Sequence, residues 1–354
     1  MREVYIFSTS AFSNQGGISS AAASFISCLR ESGVSIKEFT THEPTAGRLK
    51  NCLIFTKSLI RFFMTIILIR ASFKELPHVY IHVGPKGSLI RKFIVAMIAR
   101  LFGVKVYTHH HSPTFEHYLK RSNIWNKLLI GLAKMSTKNL VLSQWWYDLY
   151  SGSKVKNICI VPNCLPRSAP PLSSEIDSKT KSILSIGRLV SGKNFDLVIN
   201  SVLLDPGEIR LKIAGNGPEF EKLEAITRSR LAAEKIQFLG WIGETEKNRL
   251  YDTSDLFVLP SNYDSFGMVY IESLSRGCPV VIGPNAAVVS ALEGLEGVFI
   301  ASDFSVESVH EAMLRGLAYS RNKKNISESC IGKYGPQTIS KLLVEALELD
   351  YEKG

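Results

Sequence analysis

The sequence predicts an α/β protein built from two doubly wound, Rossmann-like domains. Three observations carry that expectation. With 354 residues, the chain is too long for one ordinary hydrophobic core and suits two domains of similar size. Short apolar runs alternate with helical patterns along most of its length, as expected of parallel sheets. Its character also changes at residues 167–180, where Pro170-Pro171 and four serines replace any periodicity, the mark of a linker. The expected division is residues 1–166, a linker at 167–180, and residues 181–333. A final helical stretch, 334–354, is expected to pack back on the first domain.

Taken in order, residues 4–7 read as a first strand. A small, polar loop holding Gly16-Gly17 follows, then a helix over 21–31 that Gly33 stops. Strand, glycine-bearing loop and helix open a doubly wound domain. Residues 79–83 and 104–108 read as strands with an apolar helix, 89–102, between them, and 139–142 and 158–161 are two more. Beyond the linker, strands are expected at 182–186, 210–214, 236–239, 256–259, 279–282 and 297–300. Helices lie between them, and a last helix covers 342–349.

Composition narrows the function. Hydrophobic residues make up 45% and charged residues 21% of the chain, so it is globular rather than disordered. The net charge of +10 is uneven. Residues 1–180 hold 23 Lys and Arg against 9 Asp and Glu, and the remainder 19 against 23. A basic half implies a polyanionic partner for that half: nucleic acid or an anionic membrane surface. Its basic residues are interleaved with aliphatic helices and with no nucleic-acid reading motif, which argues against nucleic acid. Residues 53–70 are mostly apolar, with Lys57 and Arg61 on one face, and the longest uncharged run, 62–69, is far below the ~18 residues of a spanning helix. Arg91, Lys92 and Arg100 edge a second apolar helix. Such helices either cover a sheet with a wet basic edge or lie in a membrane interface. Six scattered cysteines with no C-x-x-C pair suggest neither zinc nor a disulfide framework. The absence of a long apolar stretch after Met1 leads us to expect no secretory signal and a cytoplasmic setting.

The most informative stretch is residues 256–281. A short apolar strand runs into a polar loop with Asp264. Phe266-Gly267-Met268-Val269 then open a helix that carries Glu272 and ends at Gly277 and Pro279. Free amides at Gly267, Met268 and Val269 would bind a phosphate. Arg188 and Lys193 follow another strand, where two cations would stabilise a departing diphosphate. Gly215-Asn216-Gly217 allows close approach to a planar base, and Trp241-Ile242 follows a further strand end, where Trp241 is a base-side or core residue. In the first domain His109-His110-His111 end a strand, with His109 and His111 on one side and His110 on the other. No carboxylate or cysteine stands at metal-ligand spacing, so a strand-end imidazole bonding a sugar hydroxyl is the better reading.

In order and spacing these pieces resemble the retaining glycosyltransferases of family 4, whose GT-B fold sets two Rossmann-like domains facing each other across a cleft. The family's Glu-x7-Glu pair corresponds to Asp264 and Glu272, its phosphate-binding Arg and Lys to Arg188 and Lys193, its Gly-Gly loop to Gly16-Gly17, and its Gly-x-Gly-Pro turn to Gly215 to Pro218. Pro162-Asn163 also matches, as does a pattern of Ser88, Arg91-Lys92, an apolar helix and then His-x-His, which selects His111. The resemblance implies a catalytic set of Asp264, His111, Arg188 and Lys193. It implies donor contacts from Gly16, Gly17, Arg188, Lys193, Gly217, Trp241, Ile242, Asp264, Phe266, Gly267, Met268, Val269 and Glu272, with Glu272 on the ribose. Asp264 departs from the family's Glu and reaches roughly 1.3–1.5 Å less far. With no strand-end Asp-x-Asp, no metal and no cofactor are expected.

The expected reaction is retaining transfer of a sugar from a UDP- or GDP-sugar to an undecaprenyl-diphosphate-linked glycan, of the bacterial surface-polysaccharide type. It would take place at the inner face of the cytoplasmic membrane, with the chain bound peripherally. A soluble acceptor and a GT-B nucleotide-sugar epimerase are the alternatives.

Overall fold

The computed structural model describes residues 3–9, 17–43, 45–166, 180–205, 207, 209–230, 232, 234–319 and 322–349. Gly16 and residues 167–179 lie outside that set. The chain forms two compact units, Met1–Pro166 with Tyr334–Gly354, and Arg167–Lys333.

The first unit runs β1 (Val4–Ser8), α1 (Gly17–Glu31), β2 (Ile36–Thr40), α2 (Arg48–Ala71), β3 (His78–Val83), α3 (Gly87–Leu101), β4 (Val106–His110), α4 (Thr114–Lys120), α5 (Ile124–Met135), β5 (Lys138–Val141), α6 (Gln144–Gly152) and β6 (Ile158–Ile160). Its parallel sheet has the order β2-β1-β3-β4-β5-β6. Burial on both faces explains why β1 and β3 are apolar almost throughout. The edge strand β2 escapes a sequence reading because Lys37 and Glu38 interrupt it. Only its Phe39 is buried, stacked on Phe7 with ring centroids 4.8 Å apart.

The second unit runs β7 (Lys181–Ile186), a 3-10 turn (Ser191–Lys193), α7 (Phe195–Leu204), β8 (Ile209–Ala214), α8 (Phe220–Ser229), β9 (Ile236–Gly240), α9 (Glu244–Thr253), β10 (Leu256–Leu259), α10 (Met268–Ser275), β11 (Val280–Ile282), α11 (Ala286–Leu292), β12 (Val298–Ile300), α12 (Val306–Tyr319) and α13 (Lys323–Tyr334). Its parallel sheet reads β12-β11-β10-β7-β8-β9. The order reverses between β7 and β10, as it does in the first sheet between β1 and β3. In open α/β sheets these reversals are where ligands sit, beyond the strands' carboxyl ends.

The last helix, α14 (Pro336–Ala346), packs against α1 in the first unit. It lies earlier than the expected 342–349 because Pro336 occupies its first turn, where a missing N–H costs nothing. Past its end, the Glu348 carboxylate accepts from Lys105 Nζ at 2.5 Å and from the Tyr107 hydroxyl at 3.2 Å. Helix α2 is different in kind. Of its 24 residues only Phe62 and Ile66 are buried, and Phe62 meets Phe7 and Phe39 edge-on. It is long and apolar enough to cross a membrane by length and composition, longer than its uncharged run suggests. Even so, Phe62 and Ile66 seat it on the unit.

Candidate active site

The reversal point of the second sheet gathers the loops after β7, β10 and β11. Arg188 follows β7 and stands exposed, its side chain without a hydrogen-bond or ion-pair partner among the described residues. Lys193 closes the 3-10 turn after it. From the loop after β10 comes Asp264, and Lys193 Nζ donates to both of its carboxylate oxygens at 2.7 Å. The pair bridges the loops that follow β7 and β10, the neighbouring strands between which the order reverses. Asn285, which caps α11 with its side-chain oxygen, donates its Nδ2 to the Asp264 carbonyl at 3.3 Å. Both charged groups are mostly shielded, with side-chain exposures of 15% and 18%. Each therefore fixes the other's rotamer while keeping an edge open to solvent.

Gly267 caps α10 in the left-handed region, φ +82°. A Cβ there would come within 2.2 Å of the Tyr270 ring, so only glycine fits. Tyr270 in turn anchors the turn by donating its hydroxyl to the Leu259 carbonyl at 2.7 Å. Phe266 is buried beneath, and Met268 and Val269 are half-buried at the helix start. One turn on, Glu272 is buried. Lys247 of α9 meets it at 2.9 Å and the Tyr251 hydroxyl lies 3.4 Å away. Burial works against the Lys247 charge, but Glu272 and Glu244 outweigh it and hold its pKa above the ordinary range. Neither Lys247 nor Tyr251 carries a local sequence signal, since α9 reads as an ordinary surface helix.

Two readings shift. The Gly215–Gly217 turn is glycine for a reason other than approach to a base. A Cβ on Gly215 would fall 1.9 Å from the Gly187 carbonyl oxygen, and one on Gly217 2.2 Å from that of Leu189. The β7 and β8 loops pack backbone to backbone, with Leu189 N–H donating to Asn216 O at 3.0 Å. Trp241 is not core: it is 66% exposed at the end of β9, beside half-buried Ile242.

In the first unit the three sequential histidines are all buried. His82 of β3, paired in register with His109, joins them. His82 Nδ1 and His111 Nε2 are 2.9 Å apart, and the His109 and His111 rings lie 4.2 Å centroid to centroid. His82, His109 and His111 present ligand atoms within 4.8 Å of one another. His109 Nε2 donates to the Val161 carbonyl at 2.9 Å, so its Nδ1 accepts from the Tyr80 hydroxyl at 2.7 Å. With both nitrogens engaged, His109 has no lone pair for a cation unless a hydrogen bond breaks. Burial pushes His110 down to about 4. It pushes His111 to about 3, helped by His110 and opposed by a hydrogen bond to Asn163. Asn163 of the Pro-Asn motif thus meets His111. His82 and His109 are lowered too, by burial and then by His111. His82, His109 and His111 form a stack of neutral imidazoles at ordinary pH, while His110 packs against Phe115 and Tyr150. Gly17 is the first residue of α1.

Residues 171–330 match the family described as glycosyl transferases group 1. Mannosylfructose-phosphate synthase of Agrobacterium fabrum is 29% identical over 152 residues, 40% of this chain and 34% of that protein. An N-acetylgalactosaminyltransferase of Campylobacter jejuni, named for its diphospho-undecaprenol substrate, is 29% identical over 206 residues, 54% of this chain and 55% of that one. The chain thus matches about a third and about half of these curated relatives. Among solved structures, Anabaena Alr3699/HepE in complex with UDP and glucose superposes with a TM-score of 0.71 at 14% identity, covering 98% of this chain and 100% of that one. The fold is the GT-B type, with two Rossmann-like halves.

Proposed function

We propose that the chain transfers a sugar, with retention, from a nucleoside diphosphate donor to a hydroxyl of a lipid-linked glycan. The observation that carries this reading is the Lys193–Asp264 pair at the reversal point of the second sheet, flanked by free Arg188 and the Gly267 cap. Arg188 and Lys193 would take the two phosphates, with the first amides of α10 adding the positive end of the helix. Their interactions strengthen as the glycosidic oxygen leaves with its electrons, which is the differential binding that lowers a barrier. Two protein cations and a helix start supply the charge that a divalent ion supplies elsewhere, so metal-independent turnover is part of the proposal. Glu272, held by Lys247, would accept from the ribose hydroxyls. Exposed Trp241 offers a face to the base. Asp264, tethered to Lys193, would reach the sugar with its short arm.

Lipid linkage is supported by α2. Leu53, Ile60, Met64 and Leu68 are all more than half exposed along it, among Lys57, Arg61 and Arg70. Such a helix lies in the headgroup plane of an anionic membrane, which would place the chain peripherally at the inner face. The test is a panel of UDP-, GDP- and ADP-sugars, with nucleoside diphosphate release followed with and without a polyprenyl-diphosphate glycan. Release that requires the acceptor supports transfer; release without it points to the epimerase alternative. Full activity on a soluble sugar phosphate alone would move the acceptor out of the membrane.

A further inference from the structure

The reversal point of the first sheet holds a second charged site, and its charge is of one sign. A cavity of about 340 Å³ is lined by Thr9, His42, Gly84, Gly87, Ser88 and Arg91, together with Pro85. These residues sit just past the carboxyl ends of β1, β2 and β3 and at the start of α3. The Arg91 side chain has no hydrogen-bond or ion-pair partner among the described residues, and its Nε is buried without one. Behind it Lys92 is fully buried. Its Nζ donates to the Thr41 hydroxyl, and no acid pairs with it among the described residues. The one acid adjacent in sequence to His42, Glu43, lies 3.3 Å from Lys50. Lys86, at the turn into α3, holds a positive φ of 50°, a conformation that costs a non-glycine residue about 1–3 kcal/mol and clusters at ligand sites.

In sequence Arg91 and Lys92 stand together at the basic edge of an apolar helix. The structure separates them: Arg91 faces a cavity and Lys92 is inside the protein. Burial lowers the pKa of both, and burial with their two charges lowers that of His42. Buried charges are normally paired, because an unpaired one costs several kcal/mol. Here the missing partner has a cavity to occupy and a helix start to point at it.

We propose that this cavity binds a phosphate-type anion, with Arg91 as its principal ligand, the first amides of α3 and Ser88 around it, and Lys92 behind. Resting on the transfer reading above, the anion is the phosphate or diphosphate borne by the acceptor. The donor's own phosphates are held in the other unit.

The test titrates inorganic phosphate and inorganic pyrophosphate into the full chain, its Arg91→Met and Arg91→Lys variants, and Lys193→Ala. The same proteins are then mixed with phosphatidylcholine vesicles with and without a polyprenyl diphosphate. The expected result is pyrophosphate binding that survives Lys193→Ala, falls at least about tenfold in Arg91→Met and is partly restored in Arg91→Lys. Thermal unfolding shows whether Arg91→Met is folded, and Arg91→Lys carries the comparison if it is not. Arg91-dependent capture by the diphosphate vesicles places the anion on a lipid. Arg91-dependent binding of the free anions alone places it on a soluble ligand. Equal binding of every anion and vesicle by the full chain and both Arg91 variants overturns the proposal. Loss of sugar transfer in the donor panel, with Arg91-dependent binding intact, would count against the transfer reading and leave this site standing.

Discussion

In the second half, buried and half-buried charges come in pairs: Lys193 with Asp264, Lys247 with Glu272, and Arg276 with Asp252. In the first half, Arg91 and Lys92 have no acid partner among the described residues, and three imidazoles, His82, His109 and His111, lie buried on one another. The two sheets share a parallel architecture and a strand-order reversal, so the difference is chemical. A paired cation is pre-organised, because its rotamer is fixed before a ligand arrives and a ligand exchanges one oxyanion for another. An unpaired buried cation is under tension, and a ligand relieves it. The first arrangement suits a site that must gain and lose a charged leaving group. The second suits one that must hold an anion while chemistry happens elsewhere.

The comparison breaks most visibly at its most buried pair. Arg276 donates Nε and a terminal nitrogen to Asp252 at 2.6 and 2.5 Å, both side chains almost wholly buried. Arg276→Met takes the bidentate guanidinium away from the buried Asp252 carboxylate and is expected to lower the stability of the second unit by about 3–5 kcal/mol. Denaturant unfolding checks this, and the double variant Arg276→Met with Asp252→Leu should recover much of the loss. Next, Lys193→Ala should cut turnover by about 10²–10³-fold through lost leaving-group stabilisation, measured as nucleoside diphosphate release at saturating donor.

Acid tests the first half. The buried histidines have folded pKa values well below their unfolded 6.5, with His110 near 4 and His111 near 3. Below pH 6.5 the unfolded chain takes up protons that the folded chain refuses. Stability is therefore full above pH 6.5 and is lost as pH falls from there towards 3, by about 1.4 kcal/mol per pH unit for each such imidazole. Urea midpoints between pH 7 and 4.5, compared with a His110→Asn variant, would show a shallower slope in the variant. The smallest effect is at the surface of α2. Leu53→Ser with Leu68→Ser should weaken capture by anionic vesicles by roughly 2–3 kcal/mol and leave donor turnover in solution unchanged. Flotation assays measure the first and nucleotide release the second.

Local chemistry decided what the sequence could show. The central strands, such as β1, β3, β10 and β11, are legible because burial on both faces makes them nearly continuous apolar runs, whereas β2 is hidden by its half-exposed Lys37 and Glu38. The Asp264 loop, Gly267 and Lys193 could be picked out because a turn, a cap and a cation each leave a mark within a few residues. Partnerships over long separations left none. Lys247 against Glu272, His82 against His111 and the burial of Lys92 depend on packing between distant elements. Trp241 was ambiguous for the same reason, since an aromatic after a strand serves a core or a surface equally well.

Calorimetric titration of UDP, GDP and ADP into the full chain and Lys193→Ala tests most directly whether a donor diphosphate binds at the reversal point of the second sheet. One nucleotide should bind the full chain tightly without added metal and bind Lys193→Ala at least about tenfold more weakly. Equal affinity for both proteins, or binding of all three nucleotides only when a divalent cation is present, would contradict it.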